Sequence, residues 1–202
     1  MKIAVVGATG QAGSQITAEL SRRGHAVSAM ARNPGKVPAL AGVTPVKADA
    51  NDVAELTAAL KGHDVAVSAV HFKDTDPHKL IAAVKAAGVA RYLVVGGASS
   101  LEVAPGLRLI ETPEFPAEYR AEAALGGLFL DILRHDKDLD WTYLSPSALF
   151  LPGERTGQFR LGGDQLLVND KGSSISFADY AIAMADEIEK PAHSRARFTV
   201  GY

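Results

Sequence analysis

Three glycines near the amino end stand where a chain could approach a phosphate group closely. Gly7, Gly10 and Gly13 follow the apolar run Ile3–Val6, and a segment with helical periodicity comes next. In a strand–turn–helix unit, the first glycine makes the tight turn, the second leaves room for a pyrophosphate, and the third lets the helix lie close to the sheet. The helix start adds unpaired N–H groups and a positive dipole end. We therefore expect this segment to bind a dinucleotide through Gly7, Thr9, Gly10, Gln11, Ala12 and Gly13; the alternative is an ordinary strand-to-helix turn.

The composition excludes several classes of protein. The chain has 202 residues, a formal net charge of −2 and no cysteine. This length fits one domain with a sizeable core, and we treat residues 1–202 as a single domain. No basic stripe indicates nucleic acid, no thiolate chemistry is available, and no apolar segment suits a signal peptide or a membrane span. The expected setting is the cytoplasm, with a small-molecule partner and a monomeric or homodimeric chain.

The histidines do not form a recognisable metal site. They stand at positions 25, 63, 71, 78, 135 and 193, without the helical spacing or the carboxylate motif that metal ligands usually show. We therefore predict no metal. His71 follows a predicted strand and could face a cleft as a hydrogen-bond donor, although a solvated loop histidine is the favoured interpretation. No Gly-x-Ser-x-Gly sequence is present, so a hydrolase triad has no starting point.

Apolar runs and helical segments alternate along the chain. The predicted strands after the first are Ala26–Met30, Val46–Ala48, Asp64–Val70, Tyr92–Val95, Trp141–Leu144 and Phe198–Val200. Helices are expected after the N-cap candidates Asp52, Asp76 and Ser176; Gly88 would close the second, and a further helix runs to about Arg134. This alternation predicts an α/β fold with a doubly wound parallel sheet and a ligand crevice at the carboxyl ends of the strands.

The last quarter of the chain has a different composition. Glu154–Lys171 is rich in glycine and polar residues, which suggests an extended hairpin. Residues 151–202 are therefore expected to form a small C-terminal substrate lobe on the same domain.

Three regions carry a resemblance to a known family. They read Gly-Ala-Thr-Gly-Gln-Ala-Gly at 7–13, Ser-Pro-Ser-Ala at 145–148 with Pro-Gly-Glu-Arg-Thr-Gly at 152–157, and Ile-Ser-Phe-Ala-Asp-Tyr-Ala at 175–181. The chain resembles the atypical short-chain dehydrogenase/reductases, in particular the NmrA-like branch and the bacterial proteins described as NADH-flavin reductases. The resemblance covers nearly the whole chain and implies a Rossmann fold that binds NAD(P). It leaves the substrate open, because this branch mixes reductases with proteins that only bind the nucleotide.

The resemblance also implies a path for the cofactor along the sheet edge. In order from the adenine to the carboxamide of the nicotinamide, the residues on this path are Asp49, Ala50, Ser68, Ala69, Val70, Gly97, Ser99, Pro146 and Ser147. Ser99 would position the nicotinamide rather than transfer a proton. Plainer alternatives remain open: a helix start for Asp49, a buried strand end for Ser68, a loop cap for Ser99 and a strand exit for Pro146.

The end of the second predicted strand indicates which nucleotide is preferred. NAD-selective sheets usually place an acidic side chain there, against both ribose hydroxyls. This chain reads Met-Ala-Arg-Asn-Pro at 30–34, without an acid. The guanidinium of Arg32 suits a 2′-phosphate, because it can form bidentate charge-assisted hydrogen bonds. We therefore favour NADP(H) over NAD(H); the alternative for Arg32 is a solvated loop arginine.

The acid–base pair of the family is incomplete in this sequence. Short-chain dehydrogenases protonate the product alkoxide from the tyrosine of a Tyr-x-x-x-Lys pair, and the matching stretch here begins at Tyr119 and ends at Ala123. Without the lysine, Tyr119 is a poor acid–base group at neutral pH. Packing at a helix start is therefore the favoured interpretation of Tyr119, and both alcohol dehydrogenation and sugar epimerisation become less favoured.

Flavin and quinone acceptors need less help from the protein, because they delocalise the incoming charge and can take a proton from water. We therefore predict an NADPH-dependent oxidoreductase that transfers a hydride to a flavin-like or quinone-like acceptor, with Ser99 and Tyr119 as the candidate catalytic residues. One alternative is a non-catalytic NADP(H)-binding redox sensor. A less favoured one is an NAD-dependent epimerase or dehydratase.

Overall fold

An eight-stranded sheet forms the centre of the protein. The computed structural model describes residues 1–202. Its strands are β1 (Lys2–Val6), β2 (Ala26–Ala31), β3 (Val43–Lys47), β4 (Val65–Ser68), β5 (Arg91–Val95), β6 (Glu102–Ala104), β7 (Leu107–Arg108), β8 (Trp141–Pro146), β9 (Leu149–Leu151), β10 (Arg160–Gly162), β11 (Ser174–Ser176) and β12 (Ala196–Gly201). The central sheet has the order β10-β12-β8-β5-β4-β1-β2-β3. Every neighbouring pair is parallel except β10 with β12, so the predicted parallel α/β sheet is confirmed.

Five α-helices cover the two faces of this sheet: α1 (Gln11–Arg22), α2 (Val53–Leu60), α3 (Pro77–Ala87), α4 (Arg120–His135) and α5 (Phe177–Glu189). Helices α1 and α5 share one apolar core with Ile3 and Val5 of β1. Helices α2, α3 and α4 share the other with Ala4 and Val6. Successive residues of a strand point to opposite faces, so both faces of β1 are buried, as a doubly wound sheet requires. No helix combines the length and the hydropathy needed to cross a membrane.

Local caps explain the helix boundaries. Asp52, Asp76 and Ser176 each accept a hydrogen bond from a first-turn amide of α2, α3 and α5. Pro77 is the first residue of α3, and Gly88 ends that helix with a φ of 71°. A side-chain oxygen at the N-cap satisfies an amide that has no partner inside the helix, and glycine adopts a positive φ without strain. These predicted boundaries are confirmed.

Most strands differ from their predicted limits by one or two residues, and the differences in β3 and β4 have structural consequences. β3 begins at Val43, earlier than predicted, and contains Pro45. Proline is tolerated there because β3 is an edge strand, where one side of the backbone forms no ladder. β4 ends at Ser68 rather than at Val70. Ala69 and Val70 therefore leave the sheet and become available to line a site.

The C-terminal quarter is joined to the central layers. The predicted hairpin at Glu154–Lys171 is wrong, because β10 is the only strand in it and pairs with β12 instead. β8 pairs with one edge of β12, and the backbone groups of β10 form hydrogen bonds with the other edge. Helix α5 packs into the same core as α1. β11 pairs with β9 outside the main sheet. Within residues 151–202, only β11 and the connecting loops therefore lie outside the central layers and can act as a substrate lobe.

A buried carboxylate holds the loop after β9 against α1. The side chain of Glu19 is 3% exposed and forms ion pairs with Arg22, Arg23 and Arg155. Burial by itself raises the pKa of Glu19, but hydrogen bonds from Arg155 and Arg23 outweigh burial and lower this pKa from 4.5 to about 2. Because the pKa is lower in the folded state, the ionised carboxylate stabilises the fold above about pH 4.5, and this contribution is lost as the pH falls toward 2.

We predict that Glu19→Gln lowers the free energy of unfolding at neutral pH and flattens its dependence on pH between 4.5 and 2. The amide keeps the shape of the side chain but removes the charge that compensates the arginines. Urea denaturation at a series of pH values measures both effects, with the exposed Glu118→Gln as the control. An unchanged pH dependence in Glu19→Gln would show that a different group controls acid unfolding.

Candidate functional site

A cavity of about 610 Å³ opens at the carboxyl ends of β1, β2, β4 and β5. The strands β2 and β4 flank β1, so the order of connection reverses here, which is where open α/β sheets bind ligands. One wall is the start of α1, and the opposite wall is the loop from β4 to α3. Ten predicted residues line the cavity: Gly7, Thr9, Gly10, Gln11, Ala12, Arg32, Asp49, Ala50, Ala69 and Val70.

The glycines bring three backbone segments into contact. Gly7 has a φ of +86°, and a Cβ on it would lie 2.3 Å from the carbonyl oxygen of Ala69. A Cβ on Gly13 would lie 2.2 Å from the carbonyl oxygen of Gly7, so α1 begins directly against the turn. A Cβ on Gly10 would lie 3.3 Å from the Gly7 oxygen and would project where the cavity now has space. Gly7 and Gly13 thus have the packing roles that their spacing predicts, and Gly10 keeps the cavity floor free of a side chain.

The start of α1 offers hydrogen-bond donors that have no acceptor in the protein. Side chains cap α2, α3 and α5 but not α1, whose first turn also lacks an acidic residue. The amides of Thr9, Gln11 and Ala12 donate no hydrogen bond to protein atoms, and the three residues line the cavity. Free amides at the positive end of a helix dipole bind phosphate groups. The residues present therefore fit the pyrophosphate of a dinucleotide.

Arg32 and Asp49 lie at the end of the cavity formed by β2 and β3. Arg32 is exposed directly after β2 and forms no ion pair with a protein carboxylate. The Asp49 carboxylate accepts the amide of Asn51 at 2.9 Å, while the Asp49 amide donates to Glu55 at 3.1 Å. This end of the cavity therefore presents an unpaired cation beside a carboxylate that its own loop holds in place.

Several predicted residues are directed into the interior instead. The Ser99 hydroxyl donates to a carbonyl of α4 at 2.7 Å, and the Ser147 hydroxyl donates to a carbonyl of β12 at 3.1 Å. The Ser68 hydroxyl shares a hydrogen bond with the Tyr92 hydroxyl at 2.8 Å. Pro146 is buried beside Ser147. A buried hydroxyl needs a partner, and here the partners belong to the fold, so none of these predicted residues lines the cavity.

The remaining predicted positions also lie outside the cavity lining. The amide of Gly97 donates to the hydroxyl of Tyr143 at 3.0 Å. Burial raises the pKa of Tyr143 well above its ordinary value, and its hydroxyl donates to the carbonyl of Gly126. Tyr119 is 63% exposed in the turn before α4. The geometry therefore gives no support to Ser99 or Tyr119 as catalytic residues, and it brings no other tyrosine into the cavity.

The wall opposite α1 contains residues that the sequence does not single out. Phe72 and Thr75 of the loop after β4 line the cavity, together with Glu122 of α4. The Glu122 carboxylate accepts the amide of Phe72 at 2.7 Å and the amide of Lys73 at 2.8 Å. One sequence feature could have drawn attention to Glu122: it stands beside Ala123, on the helix that carries acid–base residues in the family. Its contact with a loop fifty residues away is not readable from local pattern.

This loop is fixed at both ends. The ring of Phe72 fills the space above Gly126, where a Cβ would lie 2.8 Å from the ring. At the other end, the side chain of Asn51 donates to the carbonyl of Asp74 at 2.8 Å and accepts the amide of Asp76 at 3.0 Å. The loop therefore forms a defined wall that faces the start of α1.

Two phenylalanines form an aromatic part of the cavity lining. Phe150 and Phe177 both line it, with 4.4 Å between their ring centroids. The ring of Phe150 also lies 4.6 Å from that of Tyr180, which fixes it from behind. Phe177 is the first residue of α5, and α5 packs on α1, so the aromatic pair is held next to the start of α1.

The sheet and its cavity define a nucleotide-binding Rossmann domain. The sequence model of the NAD(P)H-binding family matches residues 7–191, and the chain belongs to this family. The uncharacterised protein YwnB of Bacillus subtilis is 45% identical over 99% of this chain and 98% of its own length. Quinone oxidoreductase 2 of Escherichia coli is 32% identical over 95% of this chain and 65% of its own length.

Solved structures of similar proteins share this fold, but the activities given in their descriptions differ. A Bacteroides thetaiotaomicron protein described as a candidate epimerase has a TM-score of 0.94 and 41% identity, with coverage of 100% of this chain and 96% of that one. A Streptococcus pneumoniae protein described as a candidate NADH-flavin reductase has a TM-score of 0.86 and 37% identity, with coverage of 100% and 99%. The predicted resemblance is thus confirmed at the level of an NAD(P)H-binding Rossmann domain in a family with reductase relatives.

We predict that Gly10→Ala weakens dinucleotide binding about tenfold or more, which corresponds to about 1.4 kcal/mol. The added methyl group would lie 3.3 Å from the backbone oxygen of Gly7, a tight contact that shifts the turn, and it would stand in the cavity lining beside the free amides. Calorimetric titration with NADPH measures the change in Kd. Gly127→Ala is the matched control, because a Cβ there meets no atom within 4 Å. Binding by Gly10→Ala that equals that of wild type would place the pyrophosphate elsewhere.

Proposed function

We propose that this protein is an NADPH-dependent reductase that transfers a hydride to a flavin-like or quinone-like acceptor. One observation carries the proposal: a single cavity runs from an unpaired arginine, Arg32, past the free amides of α1 to the aromatic pair Phe150 and Phe177. It thus combines a cation, an anion-binding helix start and an apolar aromatic wall, which together suit a dinucleotide followed by an aromatic acceptor.

Arg32 supports the preference for NADPH. Its guanidinium lines the cavity directly after β2 and has no carboxylate partner, so a 2′-phosphate would supply the missing counter-charge. The acid that selects NAD at the end of the second strand is replaced here by Ala31 and Arg32. Asp49 lies on the neighbouring strand end, where its carboxylate is already engaged by its own loop.

When bound, NADPH supplies the hydride from its nicotinamide ring. The protein contributes binding and orientation: the α1 amides hold the pyrophosphate, and the loop after β4 confines the ligand from the opposite side. Phe150 and Phe177 give the cavity an apolar aromatic lining against which a planar acceptor can pack.

The side chains near β5 support a delocalised acceptor rather than a ketone or a sugar. Ala123 stands where a lysine would assist the tyrosine, and Tyr119 does not line the cavity. The hydroxyl of Ser99 is engaged by α4. An epimerase, as one structural neighbour is described, needs such acid–base groups, whereas the names of the flavin reductase and quinone oxidoreductase relatives agree with the proposal. The expected cytoplasmic location and the monomeric or homodimeric state stay predictions.

We predict that Arg32→Ala raises the Kd for NADPH about ten- to a hundredfold, because charge-assisted hydrogen bonds to the 2′-phosphate are lost. The Kd for NADH, which lacks that phosphate, should change little. Titration of both nucleotides into Arg32→Ala measures this difference. Arg134→Ala, on the exposed surface of α4, is the control. Equal weakening for the two nucleotides would remove the argument for NADPH.

We predict that the purified protein oxidises NADPH in the presence of FMN, riboflavin or a quinone. The measurement is the loss of nicotinamide absorbance against blanks that lack either the protein or the acceptor. NADPH that binds tightly but is not oxidised above the blanks with any acceptor would contradict the proposal and leave a nucleotide sensor as the better assignment.

A further inference from the structure

Five charged or titratable side chains line the cavity, in two groups along the sheet edge. Arg32 and Asp49 follow β2 and β3, on one side of the α1 start. His71 and Asp74 follow β4, and Glu122 comes from α4, on the other side. Because the free amides of α1 lie between the two groups, a dinucleotide with its 2′-phosphate at Arg32 extends toward His71 and Glu122. A side chain of this second group is therefore the one that can donate a proton to an acceptor bound at the nicotinamide.

Most other hydroxyl groups near this end are already used by the fold. Ser99, Ser68 and Tyr143 donate or accept hydrogen bonds inside the protein, and none of them lines the cavity. The side chain of His71 lines the cavity and is 78% exposed. Histidine is the side chain that most readily exchanges a proton near neutral pH. Thr75 and Asp74 of the same loop also line the cavity, but a threonine hydroxyl and a carboxylate are poorer proton donors near neutral pH than an imidazole, so His71 is the best-suited proton carrier at this end.

Glu122 fixes His71 in two ways. Its carboxylate accepts the amides of Phe72 and Lys73, which follow His71 directly and so set the backbone that carries the imidazole. The same carboxylate has its Oε1 3.6 Å from His71 Nδ1, so it stands beside this nitrogen of the imidazole. The other charged groups beside His71 are Lys73 and Asp74 of its own loop. Nε2 of His71 has no protein partner.

We propose that His71 donates a proton from Nε2 to the acceptor and that Glu122 is the positioning residue for this transfer. The proposal rests on the proposed function and adds a catalytic residue to it. In the balanced reaction the acceptor gains one hydride and one proton, and it becomes a hydroquinone or a reduced flavin as the oxidised dinucleotide forms. His71 recovers its proton from solvent through its exposed side.

We predict that His71→Asn lowers kcat for NADPH-dependent reduction of menadione by about ten- to a hundredfold, within the usual contribution of a general acid. The Kd for NADPH is measured in parallel, so that a loss of cofactor binding is separated from a loss of kcat. His78→Asn, at an exposed histidine outside the cavity, is the matched control. Added imidazole should restore part of the kcat of His71→Ala, because the cavity is open at this position. A His71→Asn protein with wild-type kcat would overturn the proposal.

The role of Glu122 is tested by a double-variant comparison. Glu122→Gln should lower kcat, and the double variant Glu122→Gln with His71→Asn should be no slower than His71→Asn alone, because the two residues act through one proton. Thermal unfolding of each variant checks that the loop after β4 remains folded. Losses in kcat that multiply in the double variant would show that Glu122 acts independently and would remove its positioning role.

A second readout does not depend on turnover. In the inert complex with NADP⁺, titration with menadione should shift the imidazole ¹⁵N resonances of His71 and leave those of His78 unchanged. Binding of menadione without a shift at His71 would contradict the contact. The two proposals fail in different ways: a wild-type protein that reduces no acceptor refutes the proposed function and this one with it, whereas normal turnover in His71→Asn and His71→Ala refutes only the role of His71.

Discussion

The close contact among the end of β1, the start of α1 and the end of β4 is the constraint on which the rest of the site depends. Any Cβ at Gly7 or Gly13 would lie within 2.3 Å of a carbonyl oxygen, so only glycine allows this approach. The contact sets the start of α1 at the edge of the sheet, with no side-chain cap and with unpaired amides. Packing and anion binding are therefore two results of one piece of backbone geometry, and the cavity follows from both.

Much of the fold is readable from the sequence because its signals are local. The N-caps Asp52 and Asp76 and the C-terminal Gly88 mark helix ends through hydrogen bonds and φ angles within a few residues. The limits of β3 and the path of β10 are less readable. β3 tolerates a proline only because it is an edge strand, and β10 pairs with residues of β12 about forty positions later. Such partners are chosen by tertiary structure and leave no trace in a local pattern.

The candidate site likewise has one part that is readable from the sequence and one part that is not. Its ends at the start of α1 and at Arg32 follow from residue types at strand ends and are readable from the sequence. The end near β5 is not, because the partner that engages each hydroxyl comes from another part of the chain. Ser99 is bonded to α4 and Ser147 to β12, separated from them by 24 and 53 positions. Glu122 likewise reaches the loop after β4 across 50 positions. A resemblance to a family supplies positions, but it does not say which way these side chains point.

Relatives with the same fold carry different activity names because a Rossmann sheet provides the cofactor site, whereas a few side chains decide the chemistry. In this chain, turning Ser99 toward the cavity would break its buried hydrogen bond of 2.7 Å, at a cost of about 1–3 kcal/mol. That cost would reduce the population of the reactive arrangement roughly five- to a hundred-and-fiftyfold. The imidazole of His71 already lines the cavity, with Glu122 beside it. The arrangement therefore disfavours substrates that need a hydroxyl relay, which agrees with the flavin-like or quinone-like acceptor that we propose.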